Sequence, residues 1–191
     1  MQCAVLCSIE DQCLSSTFDT ASKRCRMDSC IEPEIGSSSN EIFMRKTTGA
    51  GNENIYKILK GRSYFLRFEL TRKNGQTAYA KYETFRINDE SDNYRLTVGG
   101  YSGTAGDALE SYGSTGNNNG QQFSTHDRDN DEASGKCAVN NRGAWWYKKC
   151  TYSNLNGDYN GEHPFPPRWY TLDGNAGMKH VTMKIRRSIE P

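Results

Sequence analysis

The chain lacks most of the features that would assign it quickly. No apolar run approaches the ~20 residues that a membrane span needs, and Met1 is followed at once by Gln2, Cys3 and Ala4, with neither the basic nor the apolar stretch of an export signal. Charge of one sign is missing too: 24 Lys and Arg stand against 23 Asp and Glu over 191 residues. Near-neutrality excludes an electrostatic footprint for nucleic acid and a polybasic membrane patch, so partners must be recognised at local sites. Histidine is scarce, at 3, with none before His126. No GxSxG, HExxH or Cys/His nucleophile arrangement occurs, and His126, His163 and His180 read as surface or structural residues, so an enzyme is not expected. Collagen repeats and heptads, which would cluster weak sites, are absent as well.

What is there begins with cysteine. Five of the 7 cysteines (Cys3, Cys7, Cys13, Cys25, Cys30) fall within the first thirty residues. Such density belongs to a small disulfide-stapled module from an oxidising compartment, and the zinc alternative is the weaker one because no CxxC pair is present. A stapled module without an export signal predicts that the sequence sits inside a longer secreted, extracellular protein or comes from an incompletely read gene. Seven is odd, so at least one thiol lacks an intramolecular partner. The frame C-x3-C-x5-C-x11-C, as CAVLCSIEDQCLSSTFDTASKRC, resembles the PAN/apple module, in which a helix is pinned to a small sheet. That resemblance implies bridges Cys3–Cys25 and Cys7–Cys13, with Cys30 left over.

From Ile31 to Gly51 the composition shifts to Ser, Glu, Gly and Thr, which reads as a linker. Ile42, Phe43 and Met44 form a short apolar island, taken as the last strand of the first module, and the boundary is set near Thr48, giving domains 1–47 and 48–191. Beyond it, Gly51–Leu59 has Ile55, Ile58 and Leu59 on one helical face with Gly61 as a stop. Ser63–Leu70 alternates as a half-buried strand, and the Asn74-Gly75 turn predicts Thr77–Ile87 as its hairpin partner. The apolar phase slips between Tyr82 and Phe85, which predicts a bulge. Tyr94, Leu96 and Val98 make a third strand ended by Gly99 and Gly100. Antiparallel strands with short helices define an α+β class. A polar, glycine-rich run then leads to Gln122, long enough to need an ion or a disulfide to hold it.

Carboxylates concentrate at Asp127, Asp129 and Asp131, two residues apart, the kind of oxygen-rich spacing that a hard cation requires. Their spacing matches an EF-hand loop, but position six is Glu132 where that loop needs Gly, and position twelve is Ala138 where it needs Glu. The EF-hand reading fails. Unneutralised, three acids this close would repel one another. Downstream, Cys137 and Cys150 bracket Trp145 and Trp146, of which one is expected in the core and one in the wall of a cleft.

The words GNENIY, YRLTVGGYSGTAG, FSTHDRDND, CA before GAWWY, SNLNG and the terminal MKI occur in the order found in fibrinogen-like domains, and from Gly51 onward the chain resembles that family, shared by fibrinogen chains, ficolins, tachylectins and angiopoietins. The resemblance implies a central antiparallel sheet, short helices and a loop-rich calcium and ligand subdomain. It implies Ca2+ bound by the side chains of Asp129 and Asp131 and the backbone carbonyls of Ala133 and Gly135. It also implies the bridge Cys137–Cys150, a ring of about fourteen residues worth roughly 3 kcal/mol, and a cis peptide at Lys149–Cys150. The family's opening, with its own disulfide and a glycine-rich GGW strand, has no counterpart here.

The ligand pocket departs from the family. Around Asn140, Asn141, Trp146, Lys149, Cys150, Thr151 and Ala176, sugar-binding members carry Tyr, His and Tyr where this chain has Asn141, Thr151 and Ala176. Loss of those rings weakens acetyl recognition unless Tyr147, Tyr152, Tyr159 or Tyr170 rebuilds the wall. A pocket for a cationic peptide needs acids, and Asn140 and Asn141 supply none. The expected function is a calcium-stabilised, lectin-like recognition module for glycan or acetylated surface ligands in innate recognition. The alternative is an adhesive module that binds another extracellular protein and no sugar. An oligomer would have to form through other segments.

Overall fold

The computed structural model describes residues 49–110, 113–158 and 166–188, together with the strands 16–19, 24–27 and 41–44 as backbone. Near the N-terminus, β1 (Ser16–Asp19) and β2 (Arg24–Met27) form an antiparallel hairpin with Phe18 opposite Cys25. The bridges expected of Cys3, Cys7, Cys13 and Cys25, the leftover Cys30, the helix over Met1–Cys13 and the boundary near Thr48 lie outside the described residues.

The central sheet has five antiparallel strands in the order β3-β9-β4-β5-β6. β3 (Glu41–Met44), expected to close the N-terminal module, is instead its edge strand, and pairs Ile42 with Ile185 and Met44 with Met183. α1 (Gly49–Leu59) follows and packs on β5; its buried residues Ile55 and Leu59 join the core, and Gly61 ends it at φ 70°, the left-handed conformation that favours glycine after a helix. β4 (Tyr64–Thr71) alternates as expected: Tyr64, Leu66, Phe68 and Leu70 are buried and the intervening side chains half-buried. The Asn74-Gly75 turn delivers β5 (Thr77–Ile87) in register, with Thr71 opposite Thr77.

The apolar phase of β5 does slip, with Ala80 and Tyr82 buried, then Phe85 and Ile87. No residue is inserted, so the expected bulge is absent: Tyr82 faces Tyr101 and Thr84 faces Gly99 in one continuous register with β6 (Leu96–Gly103). The change of phase comes where β4 stops pairing, at Tyr82, and the strand twists on without it. Gly100 (φ 69°) lets β6 run beyond its predicted end; a Cβ there would meet Glu83 Cβ at 2.8 Å. β9 (His180–Arg187) inserts between β3 and β4, so the end of the described chain lies in the middle of the sheet.

Among the described residues between β6 and β9 regular structure is sparse. It comprises α2 (Gly113–Gly116), α3 (Cys137–Asn140), α4 (Tyr170–Asp173) and the short pair β7 (Ser153–Asn154) with β8 (Arg168–Trp169). A loop-built half of this kind must satisfy its buried backbone with side chains. Asn118, fully buried, does much of this: its Nδ2 donates to Trp146 O and Thr151 Oγ1, and its Oδ1 accepts from Ser153 Oγ. Aromatic contacts join the two halves. Phe68 of β4 has Tyr82, Trp145 and Trp169 at ring-centroid distances of 6.4, 6.4 and 5.1 Å.

Candidate functional site

The loop from Phe123 is positioned by a strained turn before it. A single 3-10 turn (Glu90–Asp92) ends in Asn93 and Tyr94, both left-handed at φ 48° and 53°. That conformation aims two carbonyls outward: Asn93 O accepts from Phe123 N at 2.9 Å and Tyr94 O from Trp146 Nε1 at 2.8 Å. Ser124 and Trp145 exchange backbone hydrogen bonds, and Asn130 Nδ2 donates to Phe123 O at 2.7 Å. The acid-bearing loop is thus fastened at both ends before its carboxylates are considered.

Asp131 is half-buried. Its Oδ1 accepts from Ala133 N and its Oδ2 from Cys137 N, each at 2.9 Å. Burial pushes its carboxyl above the ordinary carboxylate range; the two amide donors oppose that and the adjoining Asp129 carboxylate adds to it. Asp129 Oδ1 lies 3.5 Å from Asp131 N, so the two acids share one corner of the loop. Among the described residues neither forms an ion pair. Asp127 turns aside: its exposed carboxylate accepts from Thr125 Oγ1 at 2.6 Å. No group of three or more His, Cys, Asp or Glu side chains gathers for a metal among the described residues, so an ion here would draw on backbone oxygens as well. Two carboxylates with no ion-pair partner among the described residues, beside the bend 131–135 that holds Ala133 and Gly135, are the donor type that an oxygen-seeking cation takes.

Cys137 and Cys150 are disulfide-bonded, which ties the start of α3 to the end of the tryptophan segment. The Lys149–Cys150 peptide, expected cis, is trans; the chain reverses at Cys150 itself, at φ 42°. Both tryptophans are core residues, each 3 % exposed, so the expected cleft-wall tryptophan does not hold for Trp146. Trp145 Nε1 donates to Ser153 Oγ and Trp146 packs edge-on against Phe123 at 5.0 Å. Buried polar partners for both indole N–H groups make that burial tolerable.

The remaining pocket candidates divide. Asn140, Lys149 and Ala176 are exposed. Asn141 is buried and donates through Nδ2 to Cys137 O at 2.9 Å. The Thr151 hydroxyl is consumed internally, accepting from Asn118 Nδ2 and donating to Ser153 O. Arg168 joins Asn141 to Thr151, though nothing in its sequence context singled it out. From β8, its Nη2 donates to Asn141 Oδ1 (3.2 Å) and Thr151 O (3.0 Å), and its Nη1 to Asn175 Oδ1 (3.2 Å). Of the tyrosines offered as a rebuilt wall, Tyr147 is fully buried, Tyr159 lies outside the described residues, and Tyr152 and Tyr170 meet edge to face at 5.1 Å.

The family described as fibrinogen beta and gamma chains, C-terminal globular domain, matches residues 41–188. The chain belongs to this family. Its similarity extends to Techylectin-5A of Tachypleus tridentatus, 45 % identical over 71 % of this chain and 46 % of that protein. Fibrinogen-like protein A of Apostichopus parvimensis is 45 % identical over 73 % of this chain and 49 % of its own length, and Tenascin of Gallus gallus 42 % over 72 % and 7 %. The chain therefore spans about half or less of these relatives. Among solved structures, the fibrinogen-like globe domain of human ANGPTL6 superposes with a TM-score of 0.66 at 36 % identity, covering 73 % of this chain and 64 % of that one. Lamprey fibrin D-dimer, in complex with the peptide Gly-His-Arg-Pro-amide, gives 0.67 at 28 % identity, with 83 % and 58 % covered. The match begins at residue 41, the first residue of β3. In this fibrinogen-like domain the acid loop and the disulfide loop are adjoining parts of one surface, linked by the Cys137 N to Asp131 Oδ2 bond.

Proposed function

We propose that this fibrinogen-like domain is a calcium-stabilised extracellular recognition module that binds glycans, in the manner of a lectin, at the surface around the Cys137–Cys150 loop. The observation that carries it is the Asp129–Asp131 carboxylate pair, without an ion-pair partner among the described residues, in which Asp131 accepts from the first residue of that disulfide loop. Side-chain oxygens from Asp129 and Asp131 and carbonyls of Ala133 and Gly135 would hold the ion, and calcium would supply the positive charge that lets two adjoining acids stay ionised. The likeness to a techylectin favours sugar over other ligands. Acetyl capture by an aromatic cleft is less supported, because no ring stands at Asn141, Thr151 or Ala176.

The likeness to tenascins favours a second reading, adhesion to another extracellular protein without sugar binding. A cationic peptide such as the one in the lamprey complex is poorly served by either, since it would meet Arg168 where it needs an acid. Glycan-array binding with calcium, repeated after chelation, separates the readings: retention of any glycan that chelator abolishes supports the first, and retention of none with calcium present overturns it. Asp129→Asn with Asp131→Asn should remove the calcium-dependent gain in melting temperature. An unchanged response to chelator in that variant would sink the calcium assignment.

A further inference from the structure

We infer that the ligand at this surface carries a carboxylate on a sugar ring, and that Arg168 is the residue that selects it. The inference rests on the lectin reading and names its ligand class. Resemblance places Tyr, His and Tyr of sugar-binding relatives at Asn141, Thr151 and Ala176. Arg168 bonds to the side chain of the first, the backbone of the second and the side chain of Asn175, which adjoins the third. A guanidinium thus bonds to two of the three positions where sugar-binding relatives carry rings and to the residue before the third, so what the chain offers a ligand there is cationic and not aromatic.

Arg168 lacks what half-buried cations ordinarily have. Among the described residues no carboxylate pairs with it, and its three hydrogen bonds all go to neutral oxygens. Its Nε is buried without an acceptor. Desolvation lowers its pKa from the ordinary guanidinium value, as burial among neutral groups does to a cation. Nη1, bonded to Asn175 at the exposed side, is the open end of the fork. An incoming carboxylate would complete the pair, and guanidinium is the group best shaped for it. Beside it Tyr170, 42 % exposed and braced edge-on by Tyr152, offers a ring face to the C–H side of a sugar. An acidic peptide would use the charge but has no need of that face, so an acidic sugar is the better fit.

The test is calorimetric titration of the full chain, in calcium, with glucuronic acid and with glucose, which differ only in carboxylate against hydroxymethyl. Glucuronate should bind at least about tenfold more tightly, as expected for a hydrogen bond to a charged group. Arg168→Gln should remove that preference. Asn175→Asp should do the same by supplying an internal acid to Nη1, and it keeps the test decisive if Arg168→Gln fails to fold. Equal affinity for the two sugars, or a preference that survives Asn175→Asp, would overturn the inference. Preference for a glutamate peptide over glucuronate would overturn it in favour of protein recognition. Binding of N-acetylglucosamine without glucuronate would overturn it and leave the lectin reading standing, whereas no binding of any sugar would overturn both.

Discussion

Asp92 shows how one side chain can position a site it never touches. Arg95 holds its carboxylate through Nε and Nη2 at 2.9 and 2.8 Å, and Asn88 and Gln122 donate at 2.8 and 2.9 Å. These bonds, the Arg95 guanidinium first, hold its carboxyl well below the ordinary carboxylate range. Because the folded value lies below the unfolded one, the stabilisation is full above about pH 4 and is lost as pH falls through the folded value. Asp92→Asn should therefore lower the melting temperature at pH 7, and the gap from wild type should close on acidification; a pH-independent gap would contradict this. Gly143 is constrained by space: a Cβ there would lie 2.6 Å from Asn154 Oδ1, 2.8 Å from the Tyr147 hydroxyl and 3.1 Å from Asn156 O. Gly143→Ala should cost about 1–3 kcal/mol in chemical denaturation by separating a buried hydrogen-bonded pair. Asp129 and Asp131 were legible as candidate residues because their spacing marks them, and Asn141 and Thr151 only through the positions that the family resemblance implies. Arg168 and Asn118 were not, since nothing local distinguishes a guanidinium bonded to neutral oxygens or a fully buried amide.

At the scale of elements, β4 is the strand that joins the two halves. Phe68→Ala would empty the space shared with Tyr82, Trp145 and Trp169, at a cost of about 3–5 kcal/mol measured by denaturant midpoint. The disulfide loop is the second joint: Cys137 and Cys150 are 13 apart in sequence, and replacing both by Ser should cost roughly 3 kcal/mol, read as a lower denaturant midpoint. α1, β4 and the Asn74-Gly75 hairpin were legible because each depends on neighbours in sequence, period 3.6 or 2 and one turn. The phase change in β5 was legible too, but its cause was not. A slip in pattern has the same signature whether a residue is inserted or a partner strand simply ends.

For the molecule as a whole, the strand order matters more than the strands. β9 enters between β3 and β4, so the sheet closes only when the last described element arrives. Removal of residues 180–188 should abolish cooperative thermal unfolding by circular dichroism, because β3 and β4 would then face each other across a missing strand. A cooperative transition retained in that truncation would show that β9 is not central to the sheet.

Local pattern in the sequence was enough to determine the α+β class, the family, the hairpin, the acid loop and the cysteine pair around the tryptophans, for each is written in residues a few positions apart. Tertiary structure alone decided that β3 belongs to the central sheet, that Trp146 is core, that Lys149–Cys150 is trans, and that Arg168 stands among Asn141, Thr151 and Asn175. The physical reason is separation along the chain. Sheet edges, burial and polar partners are set by groups that the chain does not hold side by side, such as Arg168 and Asn141, 27 residues apart, and only packing brings those to hydrogen-bonding distance. The acid loop that a cation would occupy can be named from the sequence, but the charge that would choose its neighbouring ligand becomes visible only once the chain has folded back on itself.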